Sequence, residues 1–412
     1  MHSVLILEPN HGGHNATYLR WIVEAFLDGG VEVRVATLKD GYDDDCHMQC
    51  LARDLGSQID LMVFDRHMDP ELHTSDLGTR QVARREKQYY KLFAELYRTT
   101  KRHPQDPVFV PYLDYMAYAV ALASSPFDAA PWGGIVMRPA FHFHNMGVEA
   151  PRVGWSRVKQ LLFTRLLHAT RLETLFSIDS TLVEYYQLRH PEISRQRLRL
   201  LPEPGEVNGS SSRASAREQL GIPSEAHVIL VYGQLRSRKG IDALIAATES
   251  PDFPKNTHVL LAGTQHPEIV QLLVSPPAKR LSNEGRVHVD NRVLAGEDEH
   301  RVFAAADLVW VGYRNHYAMS AVLIQAGKMK LPVIACRDGL LGKLTRDGDL
   351  GAVVDTENSA NIAQAVARLS TNDAAARKHG ENGAAFFADR DVESFKSTIR
   401  DNFQPSRDTV VA

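Results

Sequence analysis

Short apolar runs alternate with stretches of helical spacing along nearly the whole chain. The first run covers residues 4–7 and stops at Glu8, and a glycine-bearing turn, EPNHGGHNA, follows it. Helical spacing then holds over about 17–28, Gly29 and Gly30 end it, and a second apolar run covers 31–37. Strand, turn, helix and strand in that order predict a parallel sheet, because a helical crossover returns the chain in the same direction. Further runs at 61–64, 108–110, 135–137 and 175–178 extend this sheet, with helices predicted around 79–100 and 155–172.

Near residue 205 the texture changes. The stretch GEVNGSSSRASA is rich in glycine and serine and predicts a linker or mobile loop. A second alternation follows. Strands are predicted at 228–232, 258–262, 287–289, 308–311 and 332–336, with helices at 240–249, 267–274, 297–305 and 319–328 between them. The chain thus reads as α/β, with two Rossmann-like doubly wound domains, 1–204 and 205–390. The carboxyl ends of their strands are expected to face a cleft. A last helix within 391–412 is expected to pack back on the first domain.

Bulk properties narrow the functions. The 412 residues are 44% hydrophobic and 24% charged, which supports packed cores and excludes global disorder. A net charge of −3 gives no bulk electrostatic preference for nucleic acid. No apolar run reaches the ~20 residues that span a bilayer. The start, MHSVLILEPNHGG, lacks the basic segment and long apolar run of a signal peptide, so a cytoplasmic protein is expected.

Three cysteines make no disulfide framework. Cys46 and Cys50 flank His47 in CHMQC, but two thiols and one histidine are no complete tetrahedral set, so reduced thiols are expected and no metal site. The acids at 43–45 read as a solvated turn. The segment 152–171 carries Arg152, Arg157, Lys159, Arg165 and Arg171 and no acid, while Trp155, Val158, Leu161, Leu162 and Leu166 can share a helical face. Such a helix either packs into its own domain or makes a peripheral membrane contact.

Candidate chemistry gathers at the carboxyl ends of the predicted strands. In VILVYGQLRSRKGIDALI, Gly233 permits a sharp turn, and Arg236, Arg238 and Lys239 set three cations beside a helix start, a good seat for a phosphate. In VGYRNHYAMSAVLIQAGKMKLPVIA, a polar loop runs into small residues. The amides of Met319, Ser320 and Ala321 can bind an anion, Ser320 can cap the helix, and Gln325 can meet ribose hydroxyls. The loop DNRVLAGEDE can hold a base. In the first half, the amides around Gly12 and Gly13 face an anion, although the incomplete GxGxxG excludes a dinucleotide fingerprint. His14 is placed to touch a ligand. His142 and His144 in PAFHFHN are hydrogen-bonding or acid–base candidates, and strand alternation puts both on one face.

These motifs, in order over about 228–356, resemble those of retaining GT-B glycosyltransferases of family 4, also described as glycosyl transferases group 1. The matching segments are GQLRSRKG, HVLLAGT, RVHVDNRV, FAAADLVWVGY, AMSAVLIQAGKMKLPVIACRDG and GDLGAVVD. The first half matches more loosely, through its glycine loop and late histidines.

The resemblance implies a GT-B fold and transfer of a sugar from a UDP- or GDP-sugar to an acceptor hydroxyl, with retention and without a cofactor or metal. It implies that Lys239 binds the donor diphosphate, with Arg238 or Arg236 replacing an arginine whose position falls on Gln234. The amides of Met319, Ser320 and Ala321, beside Ala318, hold phosphates, and the loop 291–294, with Arg292 and Val293, holds the base. Gly13 approaches the diphosphate, and His144 or His142 contacts the transferred sugar. The family's two glutamates, with seven residues between them, fall here on Tyr317 and Gln325. Gln325 can still bond a ribose, whereas Tyr317 cannot replace a carboxylate. The competing readings are a non-catalytic nucleotide-sugar-binding module and a GT-B epimerase or phosphorylase.

Overall fold

The computed structural model describes residues 3–10, 15–39, 42, 46–66, 78–152 and 154–404. The chain divides into two compact units. The first comprises Met1–His142, Arg152–Pro202 and Val392–Ala412; the second comprises Phe143–Pro151 and Glu203–Asp391.

The first unit holds β1 (Ser3–Leu7), β2 (Glu32–Leu38), β3 (Ile59–Phe64), β4 (Val108–Val110), β5 (Trp132–Val136), β6 (Leu172–Ser177) and β7 (Leu198–Leu200). They form one sheet in the order β3-β2-β1-β4-β5-β6-β7, and every pairing is parallel. Every residue of β1, β4 and β5 is buried, as in a sheet covered on both faces, which is why these strands are continuous apolar runs. From β1 the chain builds outward through β2 and β3, then returns and builds the other way from β4. The topological switch therefore lies between β1 and β4. The helix Val392–Asn402 packs against the helix Asn15–Asp28, with the Phe395 ring edge-on to Tyr18 and Trp21 at 5.5 Å from each.

The second unit holds β8 (His227–Tyr232), β9 (Thr257–Ala262), β10 (Val287–Asp290), β11 (Leu308–Val311), β12 (Val333–Cys336) and β13 (Gly351–Val354). Their order is β10-β9-β8-β11-β12-β13, again all parallel, with the switch between β8 and β11. Strand alternation separates two cores. Val228, Leu230, Val309 and Val311 enter one; Ile229, Val231, Leu308 and Trp310 enter the other.

Two sequence expectations need correction, and β7 was not foreseen. The glycine- and serine-rich stretch is not all linker: a helix starts at Arg213, capped by the Ser212 side chain, and the Glu297 carboxylate accepts the amides of Ser210 and Ser211 at 3.0 Å each. The basic helix is shorter, Ser156–Leu167, and its apolar residues do not share one face. Phe163, Leu166 and Leu167 are buried, while Trp155, Val158 and Leu161 stay exposed. The strand β7 carries Arg199 at its centre and has no apolar run to announce it. Among the described residues no helix is long and apolar enough to cross a membrane.

Candidate functional site

Two loops leave the second sheet at its switch point, one after β8 and one after β11. Steric contacts fix both. Gly233 has φ 99° and Gly263 has φ 121°, and a Cβ on Gly263 would lie 2.0 Å from the Gly233 carbonyl oxygen. Such a turn admits glycine alone. Ser237–Lys239 then forms one 3₁₀ turn before the helix Ile241–Ala247. The two loops are stitched together: the Trp310 indole donates to the Lys239 carbonyl at 2.7 Å, and the Arg314 amide donates to the Arg238 carbonyl at 2.8 Å.

This stitching draws Lys239 inward, to 4% exposure. Its ammonium donates to the Tyr232 carbonyl at 2.5 Å and to the Tyr313 hydroxyl at 2.8 Å, and it lies 4.6 Å from the centre of the Tyr313 ring. Both acceptors are neutral, and no carboxylate pairs with Lys239 among the described residues. A buried cation without a counter-charge is costly, so the site favours an arriving anion. Arg238 is exposed, with one guanidinium nitrogen 3.2 Å from Nδ1 of His316; Gln234 and Arg236 are exposed beside it.

The loop after β11 is held by Gly339, at φ 75°, where a Cβ would lie 2.6 Å from the Tyr317 Cα. The Leu340 amide donates to the Tyr317 carbonyl at 3.0 Å. Tyr317, Ala318, Met319, Ser320 and Ala321 are half-buried along this path into the helix Ala321–Lys328. Ser320 occupies the cap position, but its side chain makes no capping bond, which corrects that expectation. The amides of Met319 and Ser320 have no partner among the described residues.

Gln325 is half-buried, and its amide donates to Oε1 of Glu299 at 2.7 Å. The Tyr232 hydroxyl donates to the same oxygen at 2.7 Å. Burial pushes the Glu299 carboxyl up from its ordinary value, against these two hydrogen bonds. Tyr232 therefore links two groups: its carbonyl receives Lys239 and its hydroxyl anchors the Glu299–Gln325 pair. Sequence reading missed Glu299, because three acids in the first turn of the helix Glu297–Ala305 look like ordinary dipole partners.

The remaining described candidates have partners of their own or stand exposed. Arg292 pairs with Asp290 at 2.8 Å and with Asp298 at 2.5 Å, and Val293 is 71% exposed. Gly12, Gly13 and His14 lie outside the described residues, as do the side chains of Cys46 and His47. His142 is fully buried in the first unit, with Nε2 3.1 Å from the Asp179 carboxylate and 3.0 Å from the Thr181 hydroxyl. His144 is exposed and lines a cavity of about 560 Å³ in the second unit with Val148, Glu149 and Asp338. The two histidines do not share a face. A 3₁₀ turn, Phe143–Met146, replaces the expected extended backbone.

Residues 212–386 match the family described as Glycosyl transferases group 1. A relative named D-inositol 3-phosphate glycosyltransferase, from Nocardioides sp., is 31% identical over 175 residues, which is 39% of this chain and 38% of that protein. The chain thus spans less than half of that curated relative. Two solved structures align along nearly the whole chain. Sucrose-phosphate synthase from Thermosynechococcus elongatus has a TM-score of 0.65 at 18% identity, covering 97% of each chain. HepE from Anabaena, in complex with UDP, has a TM-score of 0.64 at 16% identity, covering 97% of this chain and 99% of that one. At such identities the likeness concerns the fold, which is GT-B.

Proposed function

We propose that this chain, whose residues 212–386 carry a glycosyl transferases group 1 domain on a GT-B fold, is a glycosyltransferase. It moves a sugar from a nucleotide-sugar donor to an acceptor hydroxyl with retention and without a metal. The observation that carries this reading is the Lys239 ammonium, buried at the switch point of the second sheet with only neutral acceptors. A nucleoside diphosphate supplies the missing negative charge.

The geometry supports the following roles. Lys239, Arg238 and the amides of Met319, Ser320 and Ala321 stabilise the charge that grows on the leaving diphosphate, which is electrostatic catalysis. These cations supply the positive charge that a divalent ion would otherwise give. Gln325, held by Glu299, meets the ribose. Arg292 and Val293 flank the base. His144, the exposed histidine, contacts the transferred sugar, since His142 is fully buried. UDP, the ligand of HepE, is the first nucleotide to test, with GDP second.

Trp155, Val158 and Leu161 project beside Arg152, Arg157 and Arg165, all exposed. This ridge suits peripheral contact with an anionic membrane, and so an acceptor presented at its surface.

The test is a thermal-shift panel of UDP-, GDP- and ADP-sugars, followed by nucleotide release with candidate acceptors. Stabilisation by one donor and its turnover are expected. No shift with any nucleotide overturns the reading. Binding without turnover on any acceptor favours a non-catalytic nucleotide-sugar-binding module, the reading that Tyr317 favours by standing where a carboxylate would meet the donor sugar. The same lack of carboxylates argues against an epimerase.

A further inference from the structure

The second sheet ends at β10, a four-residue edge strand paired on one side only, to β9. Each of these two strands carries a histidine. In their register His288 stands opposite Leu260, two places along from His258, so both histidines project from one face of the sheet. The rings meet across the strands, with Nδ1 of His258 2.9 Å from Nε2 of His288. The ring centres are 5.3 Å apart and the planes lie 14° from parallel. At that nitrogen distance two imidazoles reach such a centre separation only when laid end to end. The facing nitrogens therefore point straight at each other, nearly in one plane, with room for one hydrogen between them.

Counting protons shows what such a contact tolerates. A neutral imidazole has one N–H and one bare nitrogen, and a charged one has two N–H groups. A neutral pair, or a pair with one positive charge, can place a single hydrogen on the line. A pair with two positive charges sets two N–H groups against each other, and the bond breaks. The surroundings resist charging. His258 is buried and His288 half-buried. Burial lowers both below the ordinary value of 6.5, and for His258 the charges of His288, Arg286 and Arg217 act in the same direction. Arg286, beside β10, pairs with Glu284 at 2.9 Å, and Arg217, on the helix Arg213–Gln219, pairs with Asp307 at 2.7 Å. His227, at the start of β8, lies 3.8 Å from Asp307. No carboxylate pairs with His258 or His288 among the described residues. The loop 291–294 has its footing at the end of this strand: the Gly263 amide donates to the Asp290 carbonyl at 2.8 Å, and the Gln265 amide to the Asn291 side chain at 2.9 Å.

We infer that the His258–His288 pair is a proton-operated clasp: it fastens the edge strand β10 to β9 at neutral pH and above, releases it in acid, and carries the loop 291–294 with it. The clasped pair holds fewer protons than the released one. Its contribution is therefore complete above the ordinary histidine value of 6.5 and is lost as pH falls below it, with up to two protons taken up per release. Because this loop holds the donor's base in the nucleotide-sugar reading, on which this last step rests, acid also weakens donor binding.

The test is hydrogen exchange of the full chain, read by mass spectrometry at about pH 7.5 and about pH 5 and corrected for intrinsic rates. Peptides covering β10 should exchange about tenfold or more faster in acid, while those covering β13, the opposite edge of the same sheet, should not. The double variant His258→Asn, His288→Gln sets an amide where each bonding nitrogen stood, and neither amide titrates, so β10 should be equally protected at both pH values. His288→Leu, with no bonding nitrogen, should exchange fast at both. Equal protection of β10 at both pH values in the unmodified protein, equal loosening of β10 and β13, or undiminished acid loosening in the double variant would each overturn the clasp. UDP titration then separates the two readings. Protonation of UDP itself affects every variant alike, so the unmodified protein should lose several-fold more affinity between the two pH values than the double variant. An equal loss would overturn the link from clasp to loop. No UDP binding at either pH would instead sink the donor reading and leave the exchange result standing.

Discussion

At Lys239 a positive charge sits almost out of solvent between a carbonyl and a phenol. If that charge serves a ligand, its removal should hurt binding and spare folding. Lys239→Ala is expected to weaken UDP binding at least tenfold, about 1.4 kcal/mol, without lowering the ligand-free melting temperature. Calorimetric titration and a melting curve measure the two; a large fall in melting temperature with unchanged binding would make Lys239 structural. The Gln325–Glu299 contact yields a second prediction. Gln325→Glu sets a second carboxyl against Glu299, where 2.7 Å now separates a donor from its acceptor. Two like charges there cannot both ionise cheaply, so the folded pKa of one carboxyl rises above its unfolded value. Stability in this variant should be near normal at about pH 4 and fall as pH rises through neutrality, and a second change, Glu299→Gln, should restore it. Glu8 follows the same sign. Its carboxyl, raised to about 8 by burial, makes the native state hold a proton that the unfolded chain loses near pH 4.5. Stability from this group is complete below that value and is lost as pH climbs to about 8. Glu8→Gln keeps an acceptor for Asn10 and should flatten this part of the pH–stability curve, by roughly 1 kcal/mol or more at pH 8; an unchanged curve in urea titrations would refute the burial argument.

The helix Ser156–Leu167 divides its apolar residues between the interior and solvent. Replacing Trp155 and Leu161, which are 73% and 67% exposed, by serine should leave stability nearly unchanged and reduce binding to phosphatidylglycerol vesicles several-fold. A vesicle sedimentation assay decides, and equal pelleting of both proteins would remove the membrane role. This division was not legible in the sequence, where all five apolar residues fit one stripe, because tertiary packing selects which part of a stripe is covered. Other elements were legible for a physical reason. β4 and β11 match their expected bounds because strands buried on both faces must be continuously apolar. The glycine and cation positions of the loop after β8 were readable from local chemistry alone. Glu299 was not, since its meeting with Gln325 spans 26 residues and depends on how two helices pack. His142 and His144 misled because alternation holds only while the backbone stays extended, and a 3₁₀ turn begins at Phe143.

At the scale of the whole molecule, the chain builds two parallel sheets and then returns to the first with its last described helix. That return closes the first unit's core. Phe403 is fully buried, with ring centres 6.0 Å from Phe26 and 5.3 Å from Phe109. The Arg199 guanidinium, on β7, donates to the Asn402 side chain at 3.0 Å, and the Thr174 hydroxyl, on β6, donates to the Asn402 carbonyl at 2.6 Å. The first unit is therefore completed by residues more than 180 positions beyond β7, while Lys239 and the groups bonded to it belong to the second unit. Separate cores predict separable responses. Phe403→Ala removes a buried aromatic ring and should cost the first unit about 3–5 kcal/mol, whereas UDP stabilises the unit that binds it. In scanning calorimetry Phe403→Ala should lower one transition and UDP raise another, with UDP affinity in the variant within twofold of the unmodified protein at a temperature where both are folded. A single transition moved by both, together with a matching loss of UDP affinity, would show instead that the two cores unfold as one cooperative unit and that the terminal helix supports the donor site as well as the first sheet.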